Sequence, residues 1–306
     1  MEAELSDVEN TRAGPGASGG RRLPAWLRVS LPRTPVFSQT REVLRALRLC
    51  TVCESARCPN HWECWDRGTA TFMICGDRCT RACRFCAVTT GRPLPLDPDE
   101  PERVAEAVRM MRLKHAVITS VARDDLADGG AEHFAKTIKA VRSVNHEVAI
   151  EVLTPDFNDD DGALDIVFAA RPDVFNHNIE TVRRLTPGVR SRATYERSLS
   201  VLRKARQRLP AGCRTKSGLM LGLGESVDEV LEAFRDLRAV GCEILTIGQY
   251  LQPTGGCLPV AEYVRPESFD ELGKRALGMG FVCVASAPRV RSSYRADYFA
   301  QAKTGG

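Results

Sequence analysis

From residue 69 onward, short apolar runs alternate with longer stretches whose apolar residues recur every three or four positions. Residues 69–74 form an apolar run that predicts a short buried strand. Val104, Val108 and Met111, at i, i+4 and i+7, predict the helix after it, with Asp99 and Pro101 at its start. Residues 115–121 read as a second strand, followed by a helix carrying Phe134, Ile138 and Val141. A third strand over 147–153 leads to a short helix over 162–170. A fourth over 174–179 leads to a helix with Leu199 and Leu202. A fifth over 217–223 leads to a helix with Val227, Val230, Leu231, Phe234 and Leu237. A sixth over 244–250 precedes a helix over 266–277, and residues 281–285 make a possible seventh strand.

Strand–helix alternation at this spacing implies a parallel sheet. The repeats are too few for a closed eightfold barrel. The fold class expected is α/β: a partial (β/α)6 TIM-type barrel with an N-terminal cysteine-bearing arm and a C-terminal extension. Its chemistry belongs at the C-terminal ends of the strands. Four segments fall there: the cysteine loop, 124–130, 176–178 and 224–225. The expected organisation is a disordered tail over 1–22, an arm over 23–68, the barrel over 69–286 and a returning segment over 287–306. The arm reads as irregular, with one helix near 39–49.

The tail carries Glu2, Glu4, Asp7 and Glu9, unlike a transit peptide, and lacks the apolar core of a secretory signal. No apolar run approaches the ~20 residues needed to span a bilayer. A cytoplasmic protein without a membrane or nucleic-acid partner is expected, since the net charge is only +4. That charge is compatible with a face that docks acidic proteins, and equally with a mixed solvated surface.

Twelve cysteines in 306 residues need a chemical reason. Disulfides fit poorly in a chain of this size without an export signal. Zinc is a second option, because Cys50-x2-Cys53 and Cys83-x2-Cys86 look like paired knuckles. However, 29 residues separate them, and Cys58, Cys64 and Cys79 are then left over. Cys213, Cys242 and Cys283 sit in apolar or strand-like contexts and read as buried thiols. Six of the remaining nine cysteines form two trios, Cys53-x4-Cys58-x5-Cys64 and Cys79-x3-Cys83-x2-Cys86. Three thiolates on a tight loop after a strand suit an iron–sulfur cluster with one iron left open to substrate. Arg81 and Arg84, within that loop, are placed to lower the thiol pKa values.

Cys79-x3-Cys83-x2-Cys86 after the first barrel strand, with aromatic Phe85 inside it, resembles the radical S-adenosylmethionine superfamily. Asp128-Gly129-Gly130 resembles that superfamily's contact to the methionine amine. Gly218-x-Met220-x-Gly222-x-x-Glu225 resembles its strand near adenine, and Asn176-His177-Asn178 falls where ribose contacts are expected. Close packing or a turn is the alternative for Gly218, Gly222 and Gly224. Asp124 and Asp125 either orient bound groups or cap the next helix. The arm sequence Cys53-Glu-Ser-Ala-Arg-Cys58-Pro-Asn-His-Trp-Glu-Cys64 resembles the lipoyl synthases. So do residues 68–77, 119–125, 175–181 and 247–253, and the likeness runs from about Trp26 to Ala296.

The resemblance implies two [4Fe-4S] clusters and S-adenosylmethionine. Cys79, Cys83 and Cys86 would hold the first cluster. Cys53, Cys58 and Cys64 would hold the second, with the serine Ser293 of Arg291-Ser292-Ser293-Tyr294 as its fourth ligand. Residue patterns alone read that serine as a surface residue or cap. The implied reaction is radical insertion of sulfur at C6 and C8 of an octanoyl chain. That chain would be carried on a glycine cleavage H protein or E2-type domain, with ferredoxin or flavodoxin as reductant. Cys75, Cys257, Ala287 and Arg289 depart from the family habit, and Cys50 reads as a spare thiol. Other radical sulfur-inserting enzymes and a non-catalytic electron carrier are the competing classes.

Overall fold

The computed structural model describes residues 23–28 and 34–294; the expected tail over 1–22 and the end of the returning segment, 295–306, lie outside the described residues. The arm comprises α1 (Val36–Ala46), β1 (Cys50–Thr51), α2 (Val52–Ser55) and α3 (His61–Asp66). The barrel strands begin with β2 (Thr71–Ile74), and a small pair, β3 (Arg78–Cys79) and β4 (Thr89–Thr90), brackets the cysteine loop. Alternation then runs α4 (Glu100–Met110), β5 (His115–Ser120), α5 (Ala131–Val144), β6 (Ala149–Leu153), α6 (Asp161–Ala169) and β7 (Val174–Asn176). It ends with α7 (Thr186–Val189), α8 (Tyr195–Arg208), β8 (Arg214–Leu221), α9 (Val227–Ala239), β9 (Ile244–Gln249), α10 (Pro266–Gly278) and β10 (Cys283–Ser286).

The main sheet has the order β1-β2-β5-β6-β7-β8-β9-β10. Only β1 runs antiparallel; β2 and β5 to β10 pair in parallel. Among the described residues no pairing joins β10 back to β1, so the barrel is open, as expected of a partial one. Helices cover the outside of the sheet. Phe134, Ile138, Val141, Leu202, Phe234 and Leu237 are fully buried against it, which is how the amphipathic stripes read from the sequence are used. Among the described residues no helix is long and apolar enough to cross a membrane.

The arm is more ordered than expected. Helix α1 starts earlier than the predicted 39–49 and stops at Ala46, because Arg48 turns the chain with φ +49° and Leu49 N–H returns to the Leu44 carbonyl. Helices α2 and α3 have four and six residues, too few to produce a periodic pattern. Thr51 starts α2 by accepting the Glu54 N–H on its side chain. An aromatic stack of Phe37, His61, Trp62 and Trp65 binds α1 to α3, with the Phe37 and Trp62 rings 5.2 Å apart.

Past β10 the chain crosses back over the barrel. Gln249 N–H donates to the Pro288 carbonyl at 3.1 Å. A Cβ at Gly248 would stand 2.0 Å from the Val290 carbonyl oxygen, so only glycine admits this crossing. The segment also reaches the arm: Asn60 Nδ2 donates to the Arg289 carbonyl at 2.6 Å, and Tyr294 donates its hydroxyl proton to Glu63 at 2.8 Å.

Candidate active site

The cysteine loop leaves β2 through β3 and is tied down at several points. Thr80 N–H donates to the Ala122 carbonyl beyond β5, and Arg84 N–H to the Val189 carbonyl at the end of α7. Arg81 lies buried between Asp124 and Asp156, 2.7 Å from each. Asp124 therefore orients the loop, and Asp125 pairs with Arg123; Asp128, not either of them, caps the start of α5.

Each sulfur of the loop accepts a backbone N–H at 3.4 Å. Cys79 Sγ takes those of Arg81 and Ala122, Cys83 Sγ that of Ser191, and Cys86 Sγ that of Val88. Such donors stabilise negative sulfur and tune a cluster held there. The expected lowering of the thiol pKa values is not what the structure gives. Burial raises Cys83, and burial with the neighbouring Cys83 and Cys79 sulfurs pushes Cys86 up to about 12. Arg81 has its charge committed to the two aspartates, and Arg84 points to the Gly188 carbonyl; the cation that opposes the rise at Cys83 is Arg190.

The second trio comes together in the arm. Cys53 lies on α2, Cys64 on α3 and Cys58 between them. Burial, with the nearby sulfurs of the same trio adding to it, pushes Cys53 and Cys64 up to about 12. Thr71 on β2 hydrogen-bonds the Cys53 sulfur through its backbone and donates its hydroxyl to Ser293 Oγ at 2.7 Å. Arg291, also on the returning segment, feels the charge of Cys58. One threonine thus brings Ser293 beside the arm cysteines. Among the described residues no three His, Cys, Asp or Glu side chains converge tightly enough for a single metal ion, so neither trio is a preformed zinc site.

Both trios meet one cavity of about 1020 Å³, lined by Cys58 and Ser293 together with Cys79, Cys83 and Cys86. Its wall also holds polar atoms without protein partners: Asn178 Oδ1, Ser120 Oγ and Thr154 Oγ1. Glu180 and Arg190 line it too. Burial raises the Glu180 carboxyl pKa and lowers that of the Arg190 guanidinium. A polar, zwitterionic ligand such as S-adenosylmethionine fits such a wall, since it supplies partners to groups that are costly to leave unpaired.

Of the residues in the predicted S-adenosylmethionine motifs, His177, Asn178, Gly218 and Met220 line the cavity, whereas Gly129, Gly130, Asn176, Gly222 and Glu225 do not. Asn176 is fully buried in the barrel and donates to Glu151. Gly129 packs under the Phe157 ring, and Gly130 opens α5 with φ +91°. Glu225 accepts the N–H groups of Gly222 and Leu223, so it shapes its own turn, and Gly222 (φ +94°) admits Gln249 Nε2, which a Cβ would meet at 2.2 Å. Sequence reading did not single out Glu180 or Arg190, although Glu180 lies within the family-like segment 175–181, two positions after Asn178. His177 is wedged between the Thr154 carbonyl and Ser198 Oγ. Cys50 on β1 pairs with Met73 of β2, Cys75 is buried, and Arg289 pairs with Glu63.

Comparison with known families decides the identity of this site. Residues 73–237 match the Radical SAM superfamily model, and residues 4–58 match the N-terminal domain of lipoyl synthase. The lipoyl synthase of Rubrobacter xylanophilus is 57% identical over 278 residues, covering 91% of this chain and 86% of that protein. The chain belongs to the lipoyl synthase family. It is a radical S-adenosylmethionine sulfurtransferase, and the family implies a [4Fe-4S] cluster and S-adenosylmethionine. The lipoyl synthases of Deinococcus radiodurans and Pyrobaculum arsenaticum are 52% and 57% identical, covering 93% and 90% of the chain and 86% and 94% of their own lengths. Solved structures show the fold alone. The hydrogenase maturase HydG of Carboxydothermus hydrogenoformans aligns with a TM-score of 0.55 at 13% identity, over 80% of this chain and 55% of its own. Methylornithine synthase aligns with a TM-score of 0.53 at 13% identity, over 81% and 69%.

Proposed function

We propose that the protein inserts two sulfur atoms, at C6 and C8, into an octanoyl chain amide-linked to a lipoyl-carrier domain of the H-protein or E2 type. A small one-electron reductant such as ferredoxin or flavodoxin would supply the electrons. The observation that carries the reading is the shared cavity, lined by the whole loop trio, by Cys58 of the arm trio and by Ser293.

When bound, the cofactors supply one-electron cleavage of S-adenosylmethionine, hydrogen abstraction from the chain, and the sulfur itself. Cys79, Cys83 and Cys86 would hold the cluster that engages S-adenosylmethionine, and the raised thiol pKa values of Cys83 and Cys86 mean that loading releases protons. Cys53, Cys58, Cys64 and Ser293 would hold the second. Glu180 and Arg190 offer opposite charges to the amine and carboxylate of the methionine moiety. Asn178 Oδ1 and Thr154 Oγ1 offer acceptors to hydroxyl groups. Val52, Ala56, Met73, Val88 and Val121 give the cavity the apolar lining that an octanoyl chain requires. The protein's task is to hold chain and cofactors in register and keep water out.

The test is anaerobic reconstitution with an octanoylated carrier peptide, S-adenosylmethionine and reductant, read by mass spectrometry. The product expected carries two added sulfurs as a dithiol, and loses two hydrogens only when air then closes the dithiol to the cyclic disulfide. Cleavage of S-adenosylmethionine with no sulfur on the peptide refutes the substrate assignment.

A further inference from the structure

Three side chains inside the barrel form a polar ladder that the reaction as described does not use. Glu151 on β6, Asn176 on β7 and Lys216 on β8 are each fully buried. Asn176 and Lys216 are direct cross-strand neighbours. Lys216 Nζ lies 2.8 and 3.1 Å from the two Glu151 oxygens. Asn176 Nδ2 donates to Glu151 at 3.0 Å, and His115 Nε2 sits 3.2 Å from the same carboxylate. Lys216 also donates to the backbone carbonyl of Ser292 at 2.6 Å.

A buried ion pair is weak evidence for stability, because apolar residues of the same volume do as well or better. What a buried ammonium does supply is a directed donor at one place. Here that donor ends on the main chain of the returning segment, one residue before Ser293. Asn178 Nδ2 holds the adjacent Ser292 Oγ at 2.6 Å. Both contacts act on Ser292, and the Ser293 side chain is held separately, by the Thr71 hydroxyl.

We infer that Lys216, fixed by Glu151, is a positioning residue that seats the C-terminal segment through the Ser292 carbonyl and so delivers Ser293 to the arm cysteines. The inference rests on the reading of Ser293 as fourth ligand, and it assigns the buried pair to registry of that ligand.

The experiment compares the full chain with two variants. Lys216→Met combined with Glu151→Gln removes the contact to Ser292 without stranding a buried charge, and Ser293→Ala removes only the serine hydroxyl. Hydrogen–deuterium exchange over residues 288–294 is measured first. The double variant should exchange there roughly tenfold faster than the parent, the factor that about 1.4 kcal/mol of lost anchoring corresponds to, with β9 and α9 unchanged. Cyanide is then added to the anaerobically reconstituted proteins, and its binding to the arm cluster is followed by electron paramagnetic resonance. It should bind in the double variant and in Ser293→Ala, and not in the parent. Equal exchange in the double variant and the parent overturns the seat. If Ser293→Ala resists cyanide like the parent, the serine-ligand reading fails, while the exchange result still decides what Lys216 holds. Lys216→Gln with Glu151→Gln repeats the test should the methionine variant not fold, and it must also quicken exchange.

Discussion

At the residue scale, the proposed function gives the three loop sulfurs and the distant serine different steps, and substitution separates them. Cys83→Ala removes one thiolate from a trio that offers three, so cleavage of S-adenosylmethionine should fall to background; retained cleavage would rule out this ligand set. Ser293→Ala leaves the loop intact and should cleave S-adenosylmethionine while making no lipoyl product, and full lipoyl formation by that variant contradicts the role given to the C-terminal segment. His177 makes a pH prediction. Burial, with the charge of Arg190 adding to it, lowers its pKa from 6.5 to about 4. The unfolded chain therefore takes up the proton first as pH falls. Stability contributed by the neutral ring is whole above pH 6.5 and is lost progressively toward pH 4. At about 1.4 kcal/mol per pH unit, the loss is about 3 kcal/mol. Denaturant unfolding at pH 7 and 4.5 should show a steeper decline in the parent than in His177→Gln; parallel declines would show that the ring titrates normally.

At the element scale, the strands were legible because a buried parallel strand is a short apolar run and its helix carries a 3.6-residue stripe. Phe72 to Ile74 and Phe134, Ile138 and Val141 are such cases, and the structure buries all six. Helices α2 and α3 were not legible, since one turn shows no period. The S-adenosylmethionine contacts were read from glycine and asparagine patterns. Gly222 and Asn176 turn out to serve packing and the barrel's polar ladder, whereas Glu180 and Arg190 reach the cavity through a turn at φ +66° and the end of α7. No local pattern announces either. Gly248 carries an element-level prediction. Alanine there must push the returning segment off β9, at a cost of about 1–3 kcal/mol. Gly248→Ala should melt earlier and lose sulfur insertion more than S-adenosylmethionine cleavage; equal loss of both activities, or of neither, would mean that the crossing does not place Ser293.

At the scale of the whole molecule, the chain closes its site with its two ends. Glu63, beside Cys64, accepts from Tyr294 and pairs with Arg289, so arm and returning segment are clamped at the cavity rim. Sequence separations above 220 residues bring Asn60 to Arg289 and Thr71 to Ser293. Composition and periodicity carry no record of such contacts. The serine's place was legible only through family likeness, while the trios were legible from cysteine spacing. The central claim is that one chain holds two clusters at one cavity. Mössbauer spectroscopy with iron and sulfide analysis, on anaerobically reconstituted parent and on the variant with Cys53, Cys58 and Cys64 all replaced by alanine, tests it most directly. Two four-iron cubes require roughly eight iron per parent chain and roughly four in the variant, with S-adenosylmethionine perturbing the spectrum of the cube that remains. About four iron in both proteins would contradict the account.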